Sequence, residues 1–551
     1  MEKGYRTSPA VPKWLRVAMP SVADAIFLAL LCTLAFTSLS IRLLGDAGIG
    51  WHIRTGQLIL ATHHIPRVDP FSSTMAGKPW FAWEWLYDLI AGWLDSGMEL
   101  NGVVWFNALV IAATFACALQ WLVRRGVSVL LAVFLVLLAI SASMIHFLAR
   151  PHVVSWLFTL AWFAILDASE RESFRGRFRR NRWLWLLPLI MLVWVNMHGG
   201  FVIGFVLLGI YWLGACWTWW RSTKATIEQA LARIASGNRA LELLWVGVIS
   251  AAASLVNPYG WSLHRHILSY LSNRFLMNHI QEFQSPDFHG WAQRCFLVLL
   301  LIAIAAVAAR GRRLRASELL VVLFSVYAGL YSARNIPVSS LLLVMIVGPL
   351  ISSGPLSGFF ARMNAMQSSL RGHVWAVFAI LFTFAVAANA GRVRSTKLMD
   401  AHFDPRRMPV AAVNYLQQDG LPGPVLSTDA WGGYLIYQLF PQERVIVDDR
   451  HDLYGEGFFK SYLKMIHGEK GWQEFLREHE AGCLMFPRNA AITSVLHEST
   501  DWKAVYEDEV AAIFVRSSKP FVRSSETVHR EVAKQARIPP ETLHVGVERG
   551  L

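Results

Sequence analysis

The 551-residue chain is 54% hydrophobic and carries 24 Trp, while only 16% of its residues are charged, well under the quarter or so usual in a soluble domain. That composition excludes an ordinary soluble protein and indicates a polytopic membrane protein. The net charge of +13 does not indicate a nucleic-acid partner, because Lys and Arg fall in short clusters between apolar runs, where they set membrane topology.

In chain order, residues 1–20 hold Lys3, Arg6, Lys13 and Arg16 ahead of an apolar run from Val22 to Leu44. The run is too long for the apolar core of a signal peptide and lacks a small-residue cleavage site, so it reads as an uncleaved first span with a cytoplasmic N-terminus. The loop that follows, 45–101, then lies outside. It concentrates Asp46, His52, Arg54, Asp69 and Glu84 among Trp51, Trp80, Trp83 and Trp85. Ionisable groups beside a bilayer are costly to keep without a use, so this loop is the first candidate site.

Further apolar runs follow at 102–123, 127–147, 152–167, 183–197, 200–220, 241–257, 292–309, 318–333, 337–352 and 374–391, which makes eleven spans in all. The basic clusters are Arg124-Arg125, ERESFRGRFRRNR at 170–182, Arg221 to Arg239 and RGRRLR at 310–315. Eleven spans and an inside start put every one of them inside, as the positive-inside bias requires. The opposite ends of the spans carry ARPH (149–152), NMHGG (196–200), NPYG (257–260), HIQEFQSPDFHG (279–290) and ARNIP (333–337). Their Gly and Pro residues are equally explained as helix breakers. Arg150 and Arg334 are different: they stand at outer span ends, against the inside bias of arginine, and an anionic group there accounts for them best.

Residues 392–518 read as an external α/β domain: PVLSTD, YLIYQLF, RVIVDDR and CLMFP as short strands, 456–480 as helical, and AVYEDEVAAIFVRS as a closing hairpin. The tail 519–551 is polar and has the composition of a disordered segment. Cys32, Cys117, Cys216 and Cys295 lie in apolar runs and only Cys483 lies in the soluble part, so no disulfide framework is available. Phosphate-loop, HExxH, CxxC and GxSxG patterns are absent from this part.

The order of GDAGIGWHIRTGQLIL (45–60), IPRVDPFS, EWL, RPH, NMHGGF, NPYG, SPDF, ARNIP, WGGYLIYQLFP, VIVDDR and LYG resembles a set of bacterial membrane proteins similar to the GT-C superfamily of integral membrane glycosyltransferases. The resemblance implies a GT-C-like membrane body of residues 21–391 with the outer domain appended. It implies a polyprenyl-phosphate sugar as donor, an envelope glycan, lipid or protein as acceptor, and a place in the bacterial inner membrane with the C-terminal domain periplasmic or extracellular. Such a transfer needs a carboxylate to take the acceptor's proton and cations to steady the departing phosphate. Asp46 and Glu84 are the candidates for the first role. His52, Arg54, Arg150, His198, Asn257, Glu282 and Arg334 are the candidates for binding substrate. The paired acidic signature of many GT-C first loops is missing, since Ala47 follows Asp46, and this leaves the use of a divalent metal open. A non-catalytic factor in envelope polysaccharide assembly is an alternative. A transporter fits less well, because the strong charges sit at span ends rather than at mid-span.

Overall fold

The computed structural model describes residues 13–174, 182–222, 226–352, 358–370, 372–419 and 423–517. Most of the cytoplasmic N-terminal segment expected at 1–20, most of the 170–182 basic cluster and the polar tail 519–551 lie outside the described residues. The chain divides into two compact units, one of residues 1–39, 104–147 and 151–399, the other of residues 40–103, 148–150 and 400–551.

The first unit is a helical membrane body. The apolar runs of this unit fall on helices, from Val22–Phe36 through Val129–Ser143 and Ile336–Ile351 to Val374–Ala388, but the first run, expected to span Val22 to Leu44, breaks at the extended Thr37 and continues only as the short helix Leu39–Leu43. Among the described residues seven helices are long and apolar enough to cross a membrane, and Arg182–Met197, Ala316–Tyr331 and Val374–Ala388 are shorter apolar helices. The chain is a multi-pass membrane protein. Ile336–Ile351 begins with a proline in its first turn and is buried on nearly every face, as a helix that is apolar all round should be. It packs against Val129–Ser143, Trp291–Arg310 and Ala316–Tyr331. At the opposite ends of these helices, Arg315 donates to Asp167 at 2.7 Å and lies 2.9 Å from Glu170. The pair of carboxylates comes from His152–Phe174 and the guanidinium precedes Ala316–Tyr331, so the charges tie two helices at a fixed register.

The second unit joins the first-loop residues and residues 400–517 in one core. Its sheet pairs Val425–Ser427 with Cys483–Pro487 in parallel, and Cys483–Pro487 and Trp502–Glu507 each with Ala511–Arg516 in antiparallel. The expected closing hairpin is present, and the helical stretch is His451–Ile466 followed by Trp472–Glu478. YLIYQLF is not a strand: it lies in the helix Asp429–Leu439. A short apolar run has no periodicity that separates a buried strand from a buried helix, and here Thr428 and Asp429 open a helix. RVIVDDR forms only isolated bridges at Val445.

The first loop is built into this sheet. Ser73 N–H donates to the Val445 carbonyl at 2.8 Å, and the Val445 N–H donates to the Phe71 carbonyl at 3.3 Å. The helix Ile49–Thr62 packs on Asp429–Leu439. A side chain at Gly50 would strike the Gly433 carbonyl, and one at Gly433 would strike the Ala47 carbonyl, so the GIG and WGG sequences are what lets these two backbones touch. Arg54 closes the contact, donating through Nε to the Tyr437 carbonyl at 2.8 Å. Trp85–Arg124 leaves helical geometry at Glu99, where φ is 53°, and its residues up to 103 belong to this unit.

Candidate functional site

In the second unit, the turn GDAGIG presents Asp46 just ahead of the helix Ile49–Thr62. The Gly48 N–H donates to Asp46 Oδ1 at 2.9 Å, and Arg150 Nη1 lies 2.9 Å from Asp46 Oδ2. Arg150 is held in place by its neighbour, since the Ala149 N–H donates to the Leu43 carbonyl at 2.7 Å. Its other terminal nitrogen, Nη2, donates to Asp449 Oδ2. Asp449 Oδ1 accepts from the Trp51 indole N–H at 3.0 Å. One guanidinium therefore bridges two carboxylates that are 299 and 104 positions away in the sequence: Asp449 from VIVDDR and Asp46 from the loop. A side chain at Gly48 would overlap both the Arg150 guanidinium and the Asp449 carboxylate. Burial pushes the Asp449 carboxyl up to about 6, against the opposing pull of Arg150 and helped by the negative charges of Asp46 and Asp448. The Asp46 side chain is 28% exposed, so it is open to an incoming group.

The other first-loop candidates are buried supports. His52 Nδ1 is 2.6 Å from Asp88 Oδ1, its Nε2 is 3.7 Å from Glu84, and its ring stacks on Trp51 with centroids 3.6 Å apart. His52 and Asp88 are at most 1% exposed, and Glu84 is buried beside them. Arg54 is spent on Tyr437 and Gln57. Asp69 accepts from the Phe71 and Ser72 N–H groups at 3.2 and 2.9 Å, the turn role that Val-Asp-Pro favours, and it also pairs with Arg450 at 2.7 Å. Arg450 is held by Asp448 as well, at 2.7 Å, and lies over the Trp80 ring at 4.7 Å. These pairs are the buried polar centre of the unit.

In the first unit, three candidates from NMHGG, HIQEFQSPDFHG and ARNIP meet. Arg334 Nη1 lies 3.5 Å from Glu282 Oε1 and its Nη2 lies 3.4 Å from His198 Nε2, with the guanidinium over the Phe283 ring at 5.2 Å. Arg334 is 33% exposed and Glu282 34%. Asn257 does not join them. Its amide donates to the Ser254 carbonyl at 2.8 Å and its oxygen accepts from the Tyr259 N–H at 2.8 Å, which makes it the hinge of the NPYG turn.

Among the described residues no group of three His, Cys, Asp or Glu side chains is arranged to hold a metal ion.

No family model matches the chain, and no curated protein matches it. Among solved structures, the archaeal oligosaccharyltransferase AglB from Archaeoglobus fulgidus, in complex with an inhibitory peptide and a dolichol-phosphate, superposes with TM-score 0.54 at 10% identity, over 85% of this chain and 69% of that one. The chain has the GT-C fold. ArnT from Cupriavidus metallidurans bound to undecaprenyl phosphate also matches, with TM-score 0.45 at 12% identity over 91% of this chain and 99% of that one. So does an Archaeoglobus fulgidus oligosaccharyltransferase in complex with Zn and sulfate, with TM-score 0.42 at 11% identity over 84% and 68%.

The residue that sequence reasoning missed is Asp449. The signal available was VIVDDR itself: two acidic residues directly after an apolar run, beside the basic Arg450, are too costly to place there without partners. Nothing in the run says which of the two faces the loop.

Proposed function

We propose that the protein is a glycosyltransferase of the bacterial inner membrane that moves a sugar from a polyprenyl-phosphate donor to an envelope glycan, lipid or protein acceptor at the outer face. The observation that carries this reading is the partly exposed Asp46 carboxylate, fixed by Gly48 and Arg150 in the loop after the first apolar helix. The GT-C fold and the dolichol-phosphate bound to the similar archaeal oligosaccharyltransferase support it.

In the proposed reaction an acceptor hydroxyl or amide attacks the anomeric carbon, the bond to the phosphate oxygen breaks, and polyprenyl phosphate leaves. Asp46 takes the acceptor's proton. A carboxylate has about four lone-pair positions and two of these are used by Gly48 and Arg150, which leaves room for the incoming O–H or N–H. Arg150 has both terminal nitrogens committed to carboxylates, so its part is to position Asp46, and Asp449 holds Arg150 from the far side. In the other unit Arg334, its fork partly exposed, is a separate candidate for holding a lipid phosphate.

Replacing Arg334 with Lys keeps the charge and removes the planar fork. Donor affinity is expected to fall about tenfold or more, the scale of one charge-assisted hydrogen bond; unchanged affinity in titrations with the lipid donor returns Arg334 to a structural role. The proposed topology is eleven spans with the N-terminus inside and the C-terminal domain outside. Reporter fusions after Arg175 and after Asp429 are expected in opposite compartments, and the same compartment for both is incompatible with it.

Direct assay decides the function: purified protein in lipid, a defined polyprenyl-phosphate sugar and an extract of envelope glycans should release polyprenyl phosphate only when the acceptor is present.

A further inference from the structure

We propose that His198 is a fixed hydrogen-bond donor which, together with Arg334, seats one oxygen of the donor lipid's phosphate; this rests on the glycosyltransferase reading for the identity of the lipid. A buried chain of hydrogen bonds fixes where the ring proton sits. The Trp194 indole can only donate, and it donates to Ser155 Oγ at 2.7 Å. The Ser155 hydroxyl is then free to direct its own hydrogen to His198 Nδ1, 2.7 Å away. The Gly200 N–H, also only a donor, points at the same Nδ1 at 3.0 Å. Two donors aimed at Nδ1 make it the acceptor nitrogen, so the ring proton sits on Nε2.

The sequence protects this arrangement. A Cβ at position 200 would come within 2.7 Å of both His198 Nδ1 and Ser155 Oγ, so the second glycine of NMHGG is what lets its N–H approach the ring. His198 itself is extended, with φ −167° and ψ 142°, at the end of the helix Leu187–Met197, and Ser155 comes from the helix His152–Phe174.

The consequence appears at the other ring nitrogen. Nε2–H faces Arg334 Nη2 at 3.4 Å, and two donors cannot bond each other. Their convergence is favourable when an anion accepts from both, and a phosphate oxygen suits a guanidinium and an N–H together. Glu282, 3.5 Å from Nη1 on the other arm of the fork, orients Arg334 so that Nη2 stays beside the histidine.

The test uses full-length protein in nanodiscs, with undecaprenyl phosphate as probe, undecaprenol as the phosphate-free control and inorganic phosphate as the soluble source. His198→Gln keeps an N–H donor at the Nε2 position, whereas His198→Glu has the same length and only acceptors. The wild type is expected to bind undecaprenyl phosphate and not undecaprenol, with the Gln variant within a few-fold of wild type and the Glu variant at least about tenfold weaker. Equal affinity of the Gln and Glu variants overturns the proposal, provided both elute and melt as folded protein. Ser155→Ala, which removes one of the two locks on the tautomer, should weaken binding several-fold with the fold intact; unaltered binding counts against it. If inorganic phosphate alone follows the Gln and Glu pattern and the lipid does not, the seat belongs to free phosphate and the lipid assignment is overturned. Lipid binding that follows the pattern without any sugar transfer keeps the seat and removes the glycosyltransferase reading. Transfer with a normal KM in the Glu variant does the reverse.

Discussion

Asp46→Asn is expected to lower sugar transfer by roughly 100-fold or more, the scale of losing a general base, while the protein stays folded. Asparagine keeps the size of the side chain and an oxygen for the Gly48 N–H, and loses the charge that takes the acceptor's proton. The structure narrows the rivals. Asp69 is 2% exposed and committed to Arg450 and to its own turn. Glu84 is buried beside His52, so Glu84→Gln should disturb the packing of that helix pair more than the reaction. Asp449 reaches Asp46 only through Arg150, so Asp449→Asn should cost less than Asp46→Asn. Transfer that survives Asp46→Asn but not Glu84→Gln moves the base to Glu84; if both variants remain active, the first loop is not catalytic.

Arg450→Met is expected to destabilise the second unit by about 3–5 kcal/mol, the usual cost of removing one partner from a buried ion pair. The methionine fills much of the space beside Trp80 and Phe71, so the loss is electrostatic: Asp69 and Asp448, 2% and 0% exposed, would be left with their charges in a low-dielectric interior. Burial alone would raise the Asp448 carboxyl, but the charge and hydrogen bonds of Arg450, with the Tyr454 hydroxyl, hold it below its ordinary value. Neutralising both carboxylates in the same variant, as Asp69→Asn and Asp448→Asn, should recover part of the loss, since the three side chains act as one network. Thermal unfolding in detergent measures it. An unchanged melting temperature in Arg450→Met would mean that the two carboxylates find other partners.

The helices of the membrane body were legible because hydropathy alone marks them: each long apolar run is a helix, as it must be where no water can satisfy the backbone. The hairpin 502–516 was legible from two β-rich segments separated by an acidic turn. The helix at YLIYQLF was not, since its apolar positions run without a period. The construction of the second unit was hidden for a different reason. Val445, Tyr437 and Asp449 meet Ser73, Arg54 and Arg150 across hundreds of residues, and no local pattern encodes such pairings. What the sequence did hold was their trace: the glycines of GIG and WGG, which make sense only as places where two backbones touch, and the outer arginine of ARPH, which required an anion and found two carboxylates. His198 and Arg334 were each legible as residues out of place at a span end. The proton positions that make them a pair depend on Trp194, Ser155 and Gly200, which carry no chemical signature of their own.

The proposed reaction is transfer of a sugar from a lipid phosphate at the outer face of this membrane protein, with Asp46 as the base. Its most direct test is a single-turnover assay in proteoliposomes, with a labelled polyprenyl-phosphate sugar and envelope acceptor supplied on the side of the C-terminal domain. Stoichiometric release of polyprenyl phosphate with label in the acceptor is expected, slowed roughly 100-fold or more in Asp46→Asn and absent when donor and acceptor are supplied only on the opposite side. Label transfer at equal rates in wild type and Asp46→Asn, or no turnover of any polyprenyl-phosphate sugar by folded protein that binds the lipid, would contradict it.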